Sequence, residues 1–230
     1  MQLKNLKNRF LTTFTLMASL TTGIAFSSSI ILAGCSRDAS PNQVQNTTVD
    51  QTMNHSSSMN HSMTMDLGPG DANYDLRFID GMIPHHQGAV IMAKEAQQKS
   101  KRPEMKKLAD EIIKAQNLEI AQMQQWRKTW YPKAGNKPMA YDAKMGHEME
   151  MSSDQMQGMM MNMDLGAADT KFDLRFIAAM IPHHQAAVTM ATDALQKSQR
   201  PEIKKLAQAI INSQKTEIEQ MKQWQKAWYK

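Results

Sequence analysis

The chain contains itself twice. Residues 65–131 and 163–229 align without a gap at a constant offset of 98, and roughly two-thirds of the paired positions are identical. The six letters "MIPHHQ" stand at 82–87 and again at 180–185. Two copies make a duplication rather than a solenoid, so whatever one copy leaves unburied the other must cover.

Each copy has helical periodicity broken once, near its middle, by a short polar turn. The first copy predicts a helix from about Asp71, a good cap, to about Lys99. A second runs from Pro103, favourable at a first helical position, to Trp130. In the second copy the same signals give about Asp169 to Lys197 and Pro201 to Trp228. A lone helical hairpin has one apolar face and nothing to bury it against. Two hairpins facing each other solve this as an all-α antiparallel four-helix bundle, with helices roughly 40 Å long.

Pro84 and Pro182 fall inside the first helix of each copy. A proline there removes one backbone donor and crowds the carbonyl four residues back, so two short helices are one solution. Copy two reads "AAMIPHHQAAV", with Ala179 and Ala186 where copy one has Gly81 and Gly88. Alanine on both sides favours a continuous, kinked helix. The kink either wraps the core or re-aims the histidines beyond it.

At 100° per residue the apolar stripe of the first helix carries Ile79, Met82, Ile83, His86, Ala89, Val90 and Ala93. His86 is near its centre, and His85 lies at its edge beside Phe78 and Met92. The second helix's stripe includes Met105, Leu108, Ile112, Glu119, Met123, Trp126 and Trp130, with Gln116 beside it. A turn centred near Lys101 sets His86 opposite Gln116 and Ile83 opposite Glu119. The second copy supplies Met180, His183, His184, Met190, Gln214, Glu217 and Met221 in the same places.

Buried polar groups left unpaired cost about 1–3 kcal/mol each, so this level needs a partner. A His–Glu–Gln hydrogen-bond network is one answer. Metal ligation is the other, through Met82, His85, His86, Met92 and Met123 and their copies Met180, His183, His184, Met190 and Met221. Thioethers select Cu(I), whereas imidazole and carboxylate together also suit zinc or iron. Gln116, Glu119, Gln214 and Glu217 are then supporting groups or alternative ligands. The Glu-x-x-His pair of carboxylate-bridged di-iron bundles is absent from the sequence.

The segments outside the copies have an unusual content. Residues 53–65 read "MNHSSSMNHSMTM" and 145–163 read "MGHEMEMSSDQMQGMMMNM". Segments 35–70 and 132–168 are poor in large aliphatics, which predicts disordered Met/His-rich linkers. Methionine usually fills cores, but a disordered segment has none to fill. The secondary ligand set here is Met53, His55, Met59, His61, Met63, Met65, Met145, His147, Met149, Met151, Met156, Met159, Met160, Met161 and Met163. Sacrificial oxidation would account for the methionines but not for the interleaved histidines. Trp126, Trp130, Trp224 and Trp228 end the second helices and plug the bundle end; a metal–indole contact is a minority alternative.

Residues 1–34 have a signal-peptide layout: Lys4, Lys7 and Arg9, then an apolar stretch from Phe10 to Ile31. The chain's one cysteine, Cys35, closes "LAGC", which resembles the lipobox of bacterial lipoproteins and makes Cys35 a lipidation site. The leader holds three of the 27 basic residues and none of the 22 acidic ones, so the formal +5 falls to about +2 after its removal. No concentrated basic stripe remains, and nucleic acid is excluded as a partner.

The duplicated "DLRFI..MIPHHQ..AV.MA" followed by "RPE.KKLA..II..Q..EI.QM..W" resembles the ferritin-like bundle family called domain of unknown function 305, carried twice. With its leader and linkers the whole chain is similar to periplasmic copper-resistance proteins. The resemblance implies a four-helix bundle that binds Cu(I), and Ag(I) as well, outside the cytoplasm. It places the ligands at Met82, His85, His86, Met180, His183 and His184. Expected partners are copper ions and envelope copper exporters or sensor proteins, with membrane contact only through a lipid on Cys35. The expected function is non-catalytic sequestration or hand-on of Cu(I). The alternatives are a bundle-core metal oxidase using His86 and Glu119, or a structural bundle with oxidant-scavenging tails.

Overall fold

The computed structural model describes residues 66–229. Helices α1 (Tyr74–Lys99) and α2 (Pro103–Trp130) form one hairpin, and α4 (Phe172–Lys197) and α5 (Pro201–Trp228) form the other. Between the hairpins lie two short strands, β1 (Met139–Asp142) and β2 (His147–Glu150), and the helix α3 (Ser153–Met160). The duplicated antiparallel four-helix bundle expected from the repeat is the observed architecture.

Each hairpin turn is three residues long and built alike. The buried Ser100 and Ser198 each hold the backbone N–H two residues on, 3.1 Å away, and the next helix opens on proline. The first helices begin two residues later than Asp71 and Asp169 would cap them, with Asn73 and Lys171 at the cap positions. Both aspartates accept instead from Asn73 and Lys171 in tight turns ahead of the helix, and pair with Arg77 and Arg175.

The hairpins meet through α1 and α4. The core is two apolar clusters, one at each end. One joins Phe78, Ile79 and Met82 of α1 with Met123 of α2, Met190 of α4 and Ile203 of α5. The other joins Met92 and Ala96 of α1 with Met105 of α2, Phe176 and Met180 of α4, and Met221 of α5. The first half of α1 thus shares a cluster with the last half of α4, so the two helices run antiparallel. The copies are related by a pseudo-two-fold axis, and the histidines fall between the clusters.

Reciprocal ties cross this axis. Lys197 Nζ donates to the Gly68 carbonyl and Lys99 Nζ to the Gly166 carbonyl, each at 2.9 Å. Arg102 of one hairpin lies 4.1 Å over the Trp228 ring of the other, and Arg200 lies 4.3 Å over Trp130. The tryptophans stack in pairs, Trp126 on Trp130 and Trp224 on Trp228, and are engaged by these arginines.

The expectation of a disordered second linker is corrected. β1 and β2 pair antiparallel, with Met139 opposite Glu150 and Asp142 opposite His147, around Gly146 at φ +70°. A capping box opens α3: Ser152 Oγ accepts from Gln155 N–H while Gln155 Oε1 accepts from Ser152 N–H. Few of its side chains are large aliphatics, so the ordering free energy comes from docking on α1. Arg77 pairs with Glu148, Asn73 donates to Glu148 at 2.9 Å, and Asp80 accepts from Met139 N–H at 2.8 Å. The end of the first linker is also ordered from residue 66: Leu67 is buried, and its carbonyl accepts from Arg77 Nε at 2.6 Å.

That docking explains why the copies differ. A Cβ on Gly88 would stand 1.7 Å from the Met160 carbonyl oxygen, and one on Gly81 would stand 3.2 Å from Met159 Cε. Copy two has alanine at both positions. Helix α3 lies on α1, where the absence of two methyl groups makes room for it.

Candidate metal centre

Both prolines are accommodated within unbroken helices, so His85 and His86 leave α1 one and two residues past Pro84, and His183 and His184 leave α4 one and two residues past Pro182. All four imidazoles are buried, none more than 1% exposed. Adjacent helical residues diverge by about 100°, so one histidine of each pair faces its own hairpin partner and the other faces the opposite hairpin.

His86 and His184 face their own hairpins. His86 Nε2 lies 2.8 Å from Glu119 Oε2, and His184 Nε2 lies 2.6 Å from Glu217 Oε2. The hairpin register alone sets His86 against Gln116, one turn away. The difference follows from side-chain direction. Cα–Cβ bonds tilt toward each helix's N-terminus, so on antiparallel helices His86 and Glu119 lean toward one another and meet between their backbone levels.

His85 and His183 face each other across the axis, with ring centroids 3.9 Å apart and planes 48° apart. His85 lies at the edge of a wheel drawn for one hairpin because that edge is the α1–α4 interface. His183 Nε2 is 3.1 Å from the Met160 carbonyl, while neither ring nitrogen of His85 has a partner.

These contacts assign protons. A carboxylate or a carbonyl only accepts, so Nε2 of His86, His183 and His184 carries a hydrogen, and in the neutral ring Nδ1 presents its lone pair. All three Nδ1 atoms are buried without a partner, as are Oε1 of Gln116 and of Gln214. Burial, with His183 and its neighbours adding to it, holds His85 well below the usual imidazole range. His183 is lowered to about 3, chiefly by burial and then by the neighbouring His184. The pair is therefore neutral at physiological pH. A neutral imidazole whose N–H is held by a carboxylate or carbonyl while its other nitrogen points into a dry interior is how ligating histidines are arranged.

The thioethers are divided in a way the sequence does not reveal. Met82 and Met123 of copy one share their cluster with Met190 of copy two, whereas Met180 and Met221 share theirs with Met92. Each end of the bundle core thus combines three of the candidate methionines from both copies, one trio on either side of the histidine level, with Met105 joining the second. Among the described residues, no group of three or more His, Cys, Asp or Glu side chains is spaced to cage a metal ion. Glu119 and Glu217 are engaged with His86 and His184, so further donors at this level would be thioethers.

The second linker's expected ligands are spread over the fold. Met145, His147 and Met163 are exposed, Met149, Met156, Met159, Met160 and Met161 are half-buried, and Met151 is buried. Met151 and Met159, with Met139, line a pocket of about 430 Å³ against Leu67 and Tyr141. Cys35 and Met53, His55, Met59, His61, Met63 and Met65 lie outside the described residues. Sequence reasoning missed the Met160 carbonyl as a histidine partner. The available signal was the exchange of Gly88 for Ala186 between otherwise matching motifs.

Fold and site define a class: a duplicated helical hairpin closed into a bundle around a buried imidazole tetrad. The chain belongs to the family described as Domain of unknown function (DUF305), which matches residues 75–225 and so spans both hairpins in a single match. Among solved structures, the chain is 41% identical to CopM in the Cu(I)-bound form, with a TM-score of 0.53 over 68% of this chain and 98% of that one. It is 44% identical to CopM in the Cu(II)-bound form, with a TM-score of 0.54 over 67% and 97%. For CopM in a silver-bound form the values are 40% and 0.54, over 68% and 98%. A DUF305 protein from Streptomyces coelicolor matches at 26% identity and a TM-score of 0.53, over 67% of this chain and 93% of that one. Among curated proteins, "Uncharacterized protein L153" of Acanthamoeba polyphaga mimivirus is 43% identical over 49 residues. That match spans 21% of this chain and about a third (32%) of the viral protein's length.

Proposed function

We propose that this protein binds Cu(I), and Ag(I) with the same donors, in the core of the bundle, and that it sequesters or hands on copper outside the cytoplasm. The observation that carries this reading is the set of buried, unpartnered Nδ1 lone pairs on His86, His183 and His184, each on a ring whose Nε2–H is already held. Buried without hydrogen bonds, they carry a standing cost that a soft ion would offset. The likeness to CopM, solved with Cu(I), Cu(II) and silver, supports the choice of metal. The leader of residues 1–34 supports the location.

The role is binding rather than catalysis. Glu119 and Glu217 are engaged with His86 and His184, which favours them as groups that hold the imidazoles over the metal ligands of the oxidase alternative. The Met/His-rich segments serve as a second, multivalent store that keeps soft ions near the bundle. Copper resistance follows from withholding Cu(I) from other thiols and imidazoles in the envelope.

The test is an anaerobic Cu(I) titration of the mature protein against a competing chelator, repeated with His85, His86, His183 and His184 all changed to alanine. High-affinity uptake that disappears in the variant supports the reading. No Cu(I) uptake, or full affinity in the variant, contradicts it.

A further inference from the structure

The copies are equivalent in sequence around "MIPHHQ" but not in structure. Helix α3 ends with Met161 at φ +44°, a left-handed conformation that a helix terminus usually reserves for glycine or asparagine. The turn directs the Met160 carbonyl past α1, over Gly88, onto His183 Nε2 of the opposite hairpin. The matching approach to His85 would run over Ala186, whose methyl group occupies the space that Gly88 leaves for the carbonyl oxygen. His85 accordingly has both nitrogens unpartnered. Strain held at one residue, a glycine cut-out and a buried hydrogen bond all converge on one ring.

We propose that the Met160 backbone carbonyl is a positioning group for metal binding: it commits His183 to the Nε2–H form and makes His183 Nδ1 the pre-set donor. The two histidine pairs are therefore unequal, and a soft monovalent ion is taken first on the His183–His184 side. His85 is not held by the protein and completes the site from the opposite hairpin, 3.9 Å away between ring centroids. The inference rests on the Cu(I) reading above. It adds which copy leads and which backbone atom makes it lead.

Gly88→Ala tests it, because position 186 shows that the bundle itself accepts alanine there, while the added methyl displaces the Met160 carbonyl. Imidazole 15N shifts of the metal-free protein read the tautomers, and a Cu(I) competition titration reads the first binding step. In the native protein His183 is expected as a single Nε2–H tautomer. In Gly88→Ala it should become a mixture, and the first Cu(I) should bind about 10–100-fold more weakly at unchanged stoichiometry. Met161→Val, which disfavours the left-handed turn without touching α1, should do the same. Met161→Gly, which keeps the turn and loses the same thioether, should keep the single Nε2–H tautomer of His183 and so separate the turn from the sulfur. A Gly88→Ala protein with the native tautomer and first-step affinity would overturn the inference while leaving the Cu(I) reading intact. A native protein that takes up no Cu(I) would overturn both.

Discussion

His86 Nε2 donates to Glu119 Oε2 across the first hairpin at 2.8 Å, turning its other nitrogen, buried and unpartnered, toward the core. The carboxylate contributes twice over, fixing the tautomer and raising the basicity of the ring as a donor. Glu119→Ala should weaken Cu(I) binding about 10–100-fold. Glu119→Gln keeps an acceptor and should recover part of that loss. Chelator competition at fixed pH distinguishes the two.

The metal-free protein should lose stability in acid through its histidines. His183 is held at about 3 in the fold, whereas in the unfolded chain it titrates near its ordinary 6.5, and His85 is lowered in the same direction. Between those values the unfolded state binds more protons, so unfolding gains as pH falls. The stabilisation is complete above about 6.5 and drains away toward 3. Denaturant midpoints at pH 7.5, 5.5 and 4 should fall in that order, and His183→Gln should flatten the slope.

Most of the bundle is legible in the sequence because duplication, proline at the first helical position and a 3.6-residue apolar period all agree. The residues at the histidine level are legible as polar intrusions in an apolar stripe. Two features are not. The wheel of one hairpin cannot show that the edge residue His85 is the one that crosses to the other hairpin. Composition also hides the fold of residues 139–160, where methionines mask the strand alternation and only the Ser152–Gln155 box marks α3. That segment is held from outside, by Arg77 and Asp80 on α1, which no local pattern records.

Asp80 illustrates this anchoring. It is 2% exposed, accepts from Arg127 Nε at 2.5 Å and from Met139 N–H, and has Ala178 and Gln225 in the places of itself and Arg127 in copy two. Burial raises its pKa, against the pull of Arg127. Arg127→Gln alone leaves a buried carboxylate unpaired and should cost about 3–5 kcal/mol. Asp80→Ala with Arg127→Gln restores the pairing of copy two, and thermal unfolding should show most of that loss recovered, less the bond to Met139.

The methionine trios call for a substitution that separates packing from ligation. Met82→Leu with Met180→Leu conserves volume, so stability should change by less than about 1.5 kcal/mol per site. Cu(I) affinity should nevertheless fall, because leucine has no sulfur to donate. Equal affinity in the double variant would assign the thioethers to packing alone.

In the proposed function a soft ion sits among the buried imidazoles of the bundle. Copper K-edge absorption on the protein loaded anaerobically with one equivalent of Cu(I) tests it most directly. The expected spectrum shows a mixed shell of imidazole nitrogen and thioether sulfur, with the imidazole scattering lost in the variant lacking all four core histidines. A shell of sulfur alone, unchanged in that variant, would place the copper in the methionine-rich segments and contradict a metal site in the core.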